Sequence, residues 1–194
     1  MDLEIRPATP DDIPDLAWLL IIAADGWIDA VYHDLIPGLP TNKIVEKRFH
    51  YVGTAASYEN CCVAEKQGRV IGKLCAFPTD ELESSHVDPL VPEERYALFE
   101  PFEILYTPGS YYIDVVAVYP EFRGQGVGTQ LMSLALSQAK KGGFAELNLV
   151  VFEQNVRAVQ LYQRLGFKMA KRSPIVEHEL IHRSGDVVLM TRPV

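Results

Sequence analysis

The sequence predicts a single-domain mixed α/β fold over residues 1–194, one sheet with helices on both faces. Three observations predict it. A β-forming run from Tyr111 to Val118 leads through the glycine-rich Arg123-Gly124-Gln125-Gly126-Val127-Gly128 into a helix-forming stretch from Thr129. Upstream, Cys61 to Glu65 and Val70 to Phe77 read as a hairpin around Gln67-Gly68-Arg69. Downstream, an alternating strand, a short amphipathic helix and two further strands complete the chain.

The elements follow in order. Leu3 to Ile5 is a short first strand. Thr9-Pro10-Asp11-Asp12 starts a helix that reaches about Ala24, with acids where the positive end of the helix dipole favours them. Ile44, Val45, Arg48, Phe49 and Val52 recur at helical spacing, so a second helix covers about Thr41 to Tyr51. Residues 27–40, with Trp27, Tyr32 and Pro37-Gly38, fit no simple pattern.

Between Pro78 and Ser110 the chain carries Asp80, Glu81, Glu83, Asp88, Glu93, Glu94, Glu100 and Glu103 against one base, Arg95. It also holds Pro78, Pro89, Pro92, Pro101 and Pro108, and one helix is expected from Pro92 to Phe99. An insertion this long is functional or disordered. Tyr96, Phe99, Phe102 and Tyr106 give it apolar anchors, so it reads as a packed lid.

After the glycine loop, Val127, Leu131, Leu134, Ala135 and Gln138 trace one helix face that ends near Gly142-Gly143. Glu146 to Phe152 alternates as a strand. Asn155 caps the next helix, whose stripe is Ala158, Leu161, Tyr162 and Leu165, and Gly166 takes the usual C-terminal position. The last two strands are expected at about Lys168–Leu180 and Asp186–Met190, turning at Arg183-Ser184-Gly185.

Bulk properties exclude several classes. The net charge of −8 argues against a nucleic-acid face, which needs a clustered positive surface. No apolar run approaches the roughly 18 residues of a membrane helix, and Met1-Asp2-Leu3-Glu4 lacks the features of a secretory signal. Three cysteines, two of them adjacent, disfavour a disulfide framework and suit a reduced, cytoplasmic protein. His178 and His182 lie four apart in an expected strand, about 13 Å from each other, which is too far for shared metal ligation; no metal is expected.

A strand, a glycine turn and a helix start make an anion site. Glycine lets the backbone approach a phosphate, and the first helical amides point at it with the dipole behind them. A P-loop would need Lys-Ser or Lys-Thr after the last glycine, and Thr129-Gln130 stands there instead. A dinucleotide fold would want an early strand in a βαβ series and an acid about 20 residues on; Glu146 is near that distance, but one strand–helix–strand unit surrounds the loop.

The remaining pattern, Arg-x-x-Gly-x-Gly after Ala-Val-Tyr-Pro, resembles the acyl-CoA signature of the Gcn5-related N-acetyltransferases. Asn155-Val156-Arg157-Ala158 and Leu161-Tyr162-Gln163-Arg164-Leu165-Gly166-Phe167 extend the resemblance. It covers residues 111–168 well and the N-terminal part loosely. It implies a mostly antiparallel central sheet and acetyl-CoA as co-substrate, held by Arg123, Gly124, Gln125, Gly126, Val127, Gly128 and Thr129. It also implies a bulge between Asp114 and Val118, leaving the Val116 N–H free for the thioester oxygen. Val116, Ala117 and Val118 would pair with the pantetheine arm, and Asn155 would contact the cofactor.

Tyr162 matches the family's acid for the leaving thiolate; a phenol of ordinary pKa near 10 lies about 1.5 units above a thiol. The bland reading of Tyr162 is a core aromatic. Asp114 is the best candidate base, an acid among apolar and aromatic strand neighbours one pleat from Val116, with Tyr111, Tyr112, Glu100 and Glu103 in reserve. Its bland reading is a buried acid paired to an arginine or a helix end. Because a carboxylate is a poor proton acceptor for an ammonium, it would act through water or by binding the amine cation.

The acidic insertion motivates a small cationic or peptide amine as acceptor, with Glu100, Glu103 and Tyr112 contacting it. The alternative is a non-catalytic acetyl-CoA sensor, which could dispense with Tyr162 and Asp114. Transfer of a longer acyl group is a third reading, and the resemblance also allows a homodimer.

Overall fold

In the computed structural model, which describes residues 3–83, 88 and 90–194, the strands form one seven-stranded sheet in the order β1-β2-β3-β4-β5-β7-β6. The strands are β1 (Glu4–Pro7), β2 (Cys61–Lys66), β3 (Arg69–Pro78), β4 (Tyr111–Val118), β5 (Glu146–Phe152), β6 (Lys168–Pro174) and β7 (Asp186–Pro193). Around them lie α1 (Ile13–Ala23), α2 (Trp27–Tyr32), α3 (Thr41–Phe49), α4 (Asp80–Glu83), α5 (Glu100–Glu103), α6 (Val127–Lys141) and α7 (Val156–Arg164). Every neighbouring pair is antiparallel except β4 with β5.

Two cores sandwich the sheet. On one face Leu16, Leu19, Ile28, Ile44, Val45 and Phe49 from α1 to α3 pack on Val63, Cys75, Phe77, Tyr112, Val115 and Ala117. On the other, Val127, Leu131, Met132 and Ala135 of α6 and Val159 and Tyr162 of α7 pack on Ile71, Leu74, Ile113, Leu147 and Leu149. Burying these side chains on both faces is what holds the sheet flanked by helices.

β4 belongs to both cores by an irregular alternation. Tyr112 faces the α1–α3 side and Ile113 the α6 side, as a strand requires. Val115, rather than Val116, then returns to the α1–α3 side. The cause is a register shift against β3: Val115 opposes Cys75 while Ile113 opposes Ala76, so Asp114 is the extra residue of a bulge. The bulge inverts the parity of the last four residues. Asp114 and Val116 are therefore not one regular pleat apart, contrary to the sequence expectation.

The described part of the insertion is packed. Trp27 meets Phe99 edge-on at 4.8 Å and Phe102 at 5.0 Å, and its indole N–H donates to the Leu98 carbonyl at 3.0 Å. The Arg95 guanidinium donates to the carbonyls of Val31 and His33, both at 2.8 Å. The expected helix over 92–99 is a 3-10 turn at Glu93–Leu98 followed by α5. His86 and Pro89 lie outside the described residues.

The expected strand to Leu180 ends instead at Pro174. Beyond it the chain leaves the ladder and crosses to the end of α1, where the His182 N–H donates to the Asp25 carbonyl at 2.8 Å and Arg183 pairs with Asp25 at 3.1 Å. His178 and His182 thus sit in a loop, and no metal-binding group of three His, Cys, Asp or Glu occurs among the described residues. No described helix is long and apolar enough to cross a membrane.

Candidate active site

The parallel pairing of β4 with β5 stops early. It links Tyr111, Tyr112 and Ile113 to Leu147, Asn148 and Leu149 and goes no further, although both strands continue. Beyond Ile113 they splay. The gap belongs to a cleft of about 2070 Å³, bounded by α6 and α7, by α1 and α3, and by the insertion.

Backbone groups face this gap by register. Opposed residues of an antiparallel ladder alternate between exchanging hydrogen bonds and turning away from each other. The Tyr119 N–H donates to the Ile71 carbonyl at 3.0 Å, so Tyr119, Ala117 and Val115 turn toward β3. Val116 and Val118 turn the other way, into the splay. Arg123 Nε confirms the sense by donating to the Val118 carbonyl at 3.0 Å.

The glycine loop closes one end. Gly124 (φ +74°) and Gly126 (φ +83°) hold left-handed conformations that a side chain would strain, and a Cβ at either would meet nothing within 4 Å. Helical bonding begins with the Gln130 N–H on the Gly126 carbonyl at 3.1 Å, which leaves the preceding amides of the first turn free of helical partners. Val127 is buried and anchors α6, whereas Arg123 and Thr129 are exposed at the rim. Together these features form a cradle for a phosphate-bearing ligand.

Val116, Ala117, Val118, Arg123, Gly124, Gly126, Val127, Gly128, Thr129, Asn155 and Tyr162 all line the cleft. Gln125 does not. Its side chain turns outward, accepting from Lys66 at 3.4 Å and donating to the Glu121 carbonyl at 3.3 Å. Asn155 caps α7 by accepting from the Ala158 N–H at 3.3 Å and donates to Asp25 at 3.4 Å, so most of its side chain is occupied.

Tyr162 is 8% exposed, and its hydroxyl has no hydrogen-bond partner among the described residues. Burial pushes its pKa up to about 12. The phenol is thus a weaker acid than the sequence suggested, because low-dielectric surroundings disfavour phenolate.

At the other end, Asp114, Tyr112, Glu100 and Glu103 line the cleft together. Tyr111 does not; it faces α6, donating to the Ala76 carbonyl at 3.2 Å. Around Asp114 the fold gathers Tyr32, Arg48, Tyr106 and Asp88. Tyr32 donates to Asp88 at 2.6 Å, and burial first, with the carboxylates second, raises the phenols of Tyr32 and Tyr106. Burial works against the charge of Arg48, but Tyr32, Asp114 and Asp88 outweigh it and hold its pKa above the ordinary value.

Sequence reading did not single out Arg48. The available signal was a cation inside an apolar helical stripe, between Val45 and Phe49.

A bulged β4 and a glycine cradle opening a helix are the features that the resemblance to the Gcn5-related N-acetyltransferases implied for this site. The Acetyltransferase (GNAT) family matches residues 28–167, and the chain belongs to that family. It is 28% identical over 172 residues to human N-acetyltransferase 8B, a match spanning 81% of this chain and 66% of that protein, just short of two thirds of its length. An N-acetyltransferase structure from Staphylococcus aureus Mu50 superposes with a TM-score of 0.71 at 22% identity, covering 97% of this chain and 100% of the other. The Salmonella typhimurium protein yncA, solved with its cofactor acetyl-CoA, gives 0.60 at 18% identity, covering 100% and 94%. At such identities the two structures speak to the fold alone.

Proposed function

We propose that the protein is an acetyl-CoA-dependent N-acetyltransferase that joins acetyl-CoA and an amine directly in one ternary complex. The observation that carries this reading is the pairing of a phosphate cradle with two outward-turned amides in the same cleft. In this reading the cradle from Arg123 to Thr129 binds the pyrophosphate, and the backbone of Val116 and Val118 holds the pantetheine arm as an added strand would. Acetyl-CoA supplies an activated acyl carbon. The Val116 N–H donates to the acyl oxygen as it gains negative charge, a contribution of about 3 kcal/mol from one fixed donor.

Asp114 receives the amine from the far side of the splay, binding its cation or accepting its proton through water. Tyr162 donates to the departing sulfur. With a phenol pKa of about 12 it stays protonated throughout the neutral range, so it acts by hydrogen bonding to the thiolate and releases its proton only against a strongly basic sulfur. Glu100, Glu103 and Asp88 make the acceptor end acidic, which favours amines that carry positive charge. No metal is assigned a role. The free thiols of Cys61, Cys62 and Cys75 suit a reducing, cytoplasmic setting.

The test is coenzyme A release from acetyl-CoA across an amine panel, with product mass measured. Turnover that yields N-acetyl product and falls in Asp114→Asn supports the enzyme. An acetyl-CoA thermal shift with no turnover against any amine favours a non-catalytic sensor.

A further inference from the structure

The acceptor end of the cleft is not uniformly acidic. α3 turns Ile44, Val45 and Phe49 into the core, and Arg48, four residues from Ile44, shares that inner face. Arg48 is half-buried and lines the cleft. Among the described residues its guanidinium makes no hydrogen bond and no ion pair within 4 Å. Its planar fork of N–H donors, which cannot shed its charge, is thus turned to the open cleft and free to take an acceptor from a ligand.

The neighbouring acids do not satisfy it. Asp88 is engaged by the Tyr32 hydroxyl at 2.6 Å and by the Leu90 N–H at 2.9 Å. Asp114 interacts with Arg48 through space but lies beyond ion-pair reach. A permanent cation is thus held open at the place where the acceptor must enter, within the electrostatic range of the candidate base.

We propose that Arg48 binds a carboxylate on the acceptor, which makes the acceptor an amino acid or similar zwitterion whose amine is delivered to Asp114. The inference rests on the acetyltransferase reading above and narrows its substrate class. A simple polyamine would set a second ammonium against Arg48. A molecule with both charges matches the arginine and the surrounding carboxylates Asp114, Glu100 and Glu103 at once. The bidentate geometry of guanidinium with carboxylate would also fix the orientation of the amine.

The experiment uses the full chain with acetyl-CoA and matched pairs that differ in one carboxylate: lysine against cadaverine, and phenylalanine against phenethylamine. The wild type is expected to favour the carboxylate-bearing member by about 10- to 100-fold in kcat/KM, carried mainly by KM. Arg48→Gln brings that member down to the level of its decarboxylated partner, and Arg48→Lys restores part of the preference. An undiminished acetyl-CoA thermal shift in both variants shows that the fold is intact.

Equal use of both members by the wild type, or an equal loss for both in Arg48→Gln, overturns the proposal and leaves the acetyltransferase reading standing. So does turnover confined to amines without a carboxylate. Loss of the acetyl-CoA thermal shift in the wild type itself would instead remove the underlying reading, and this inference with it.

Discussion

Replacing Tyr162 by Phe separates the chemistry of the site from its architecture. The side chain is 8% exposed, packs 6.0 Å from the Phe167 ring, and makes no hydrogen bond through its hydroxyl among the described residues. Removing the oxygen therefore leaves the packing intact, and stability at neutral pH should change by no more than about 1 kcal/mol. If the hydroxyl donates to the leaving sulfur, kcat should fall about 100-fold while the KM for acetyl-CoA stays near its wild-type value.

Burial raises the folded-state pKa of Tyr162 to about 12, against about 10 in the unfolded chain. Two consequences follow with a definite sign. As an acid it must be protonated, so it sets no alkaline limb on the kcat/KM profile of the free enzyme below about pH 10. As a group with a raised folded pKa, it contributes stability that is fully present below pH 10 and lost as pH rises through 12. That loss amounts to about 2 to 3 kcal/mol, and Tyr162→Phe should blunt it by the same amount. Steady-state kinetics from pH 6 to 10 and urea melts from pH 8 to 12 read both effects. An unchanged kcat in Tyr162→Phe, or a wild-type limb near pH 8.5 that vanishes in the variant, would refute the reasoning.

Three further outcomes are expected. Gly126→Ala forces a residue with a Cβ into φ +83°, where the space is open; strain of roughly 1–2 kcal/mol should leave the protein folded but weaken acetyl-CoA binding about 10-fold by calorimetry. Gly26→Ala meets the same conformational penalty at φ +92°, and its Cβ would lie 1.9 Å from the Leu180 carbonyl oxygen. A drop of about 3 kcal/mol or more in urea unfolding is expected, because the 175–182 crossing must move. Lys73 is fully buried, donates to the Leu16 carbonyl at 3.0 Å and sits 4.6 Å above the Phe49 ring, and burial lowers its pKa. The unfolded chain then binds the extra proton, so this residue makes stability rise with pH up to about 10.5; Lys73→Met should flatten that rise in melts between pH 7 and 10.

What the sequence made legible was local. The glycine triplet, the Asn155 cap and the stripe containing Tyr162 each follow from residue types at short spacing, and each takes its expected place in the structure. The single parallel pair and the splay beyond Ile113 were not legible in the sequence, since strand pairing leaves no trace at short range.

The sequence predicts strand through Leu180, but beyond Pro174 distant contacts with Asp25 fix the conformation instead. α2 was invisible for a related reason. It is six residues long and starts at Gly26 without a side-chain cap, and tertiary packing of Ile28 and Val31 sustains it. Arg48 was hidden because helical periodicity locates an inner face without saying whether that face meets core or cleft.

In the proposed reaction the acetyl group passes directly between two ligands bound together in the β4–β5 splay. Initial rates with acetyl-CoA and an accepted amine both varied test it most directly. Intersecting double-reciprocal lines, with no acetylated protein after incubation with acetyl-CoA alone, are predicted. Parallel lines, together with an acetyl group on the protein itself, would contradict it.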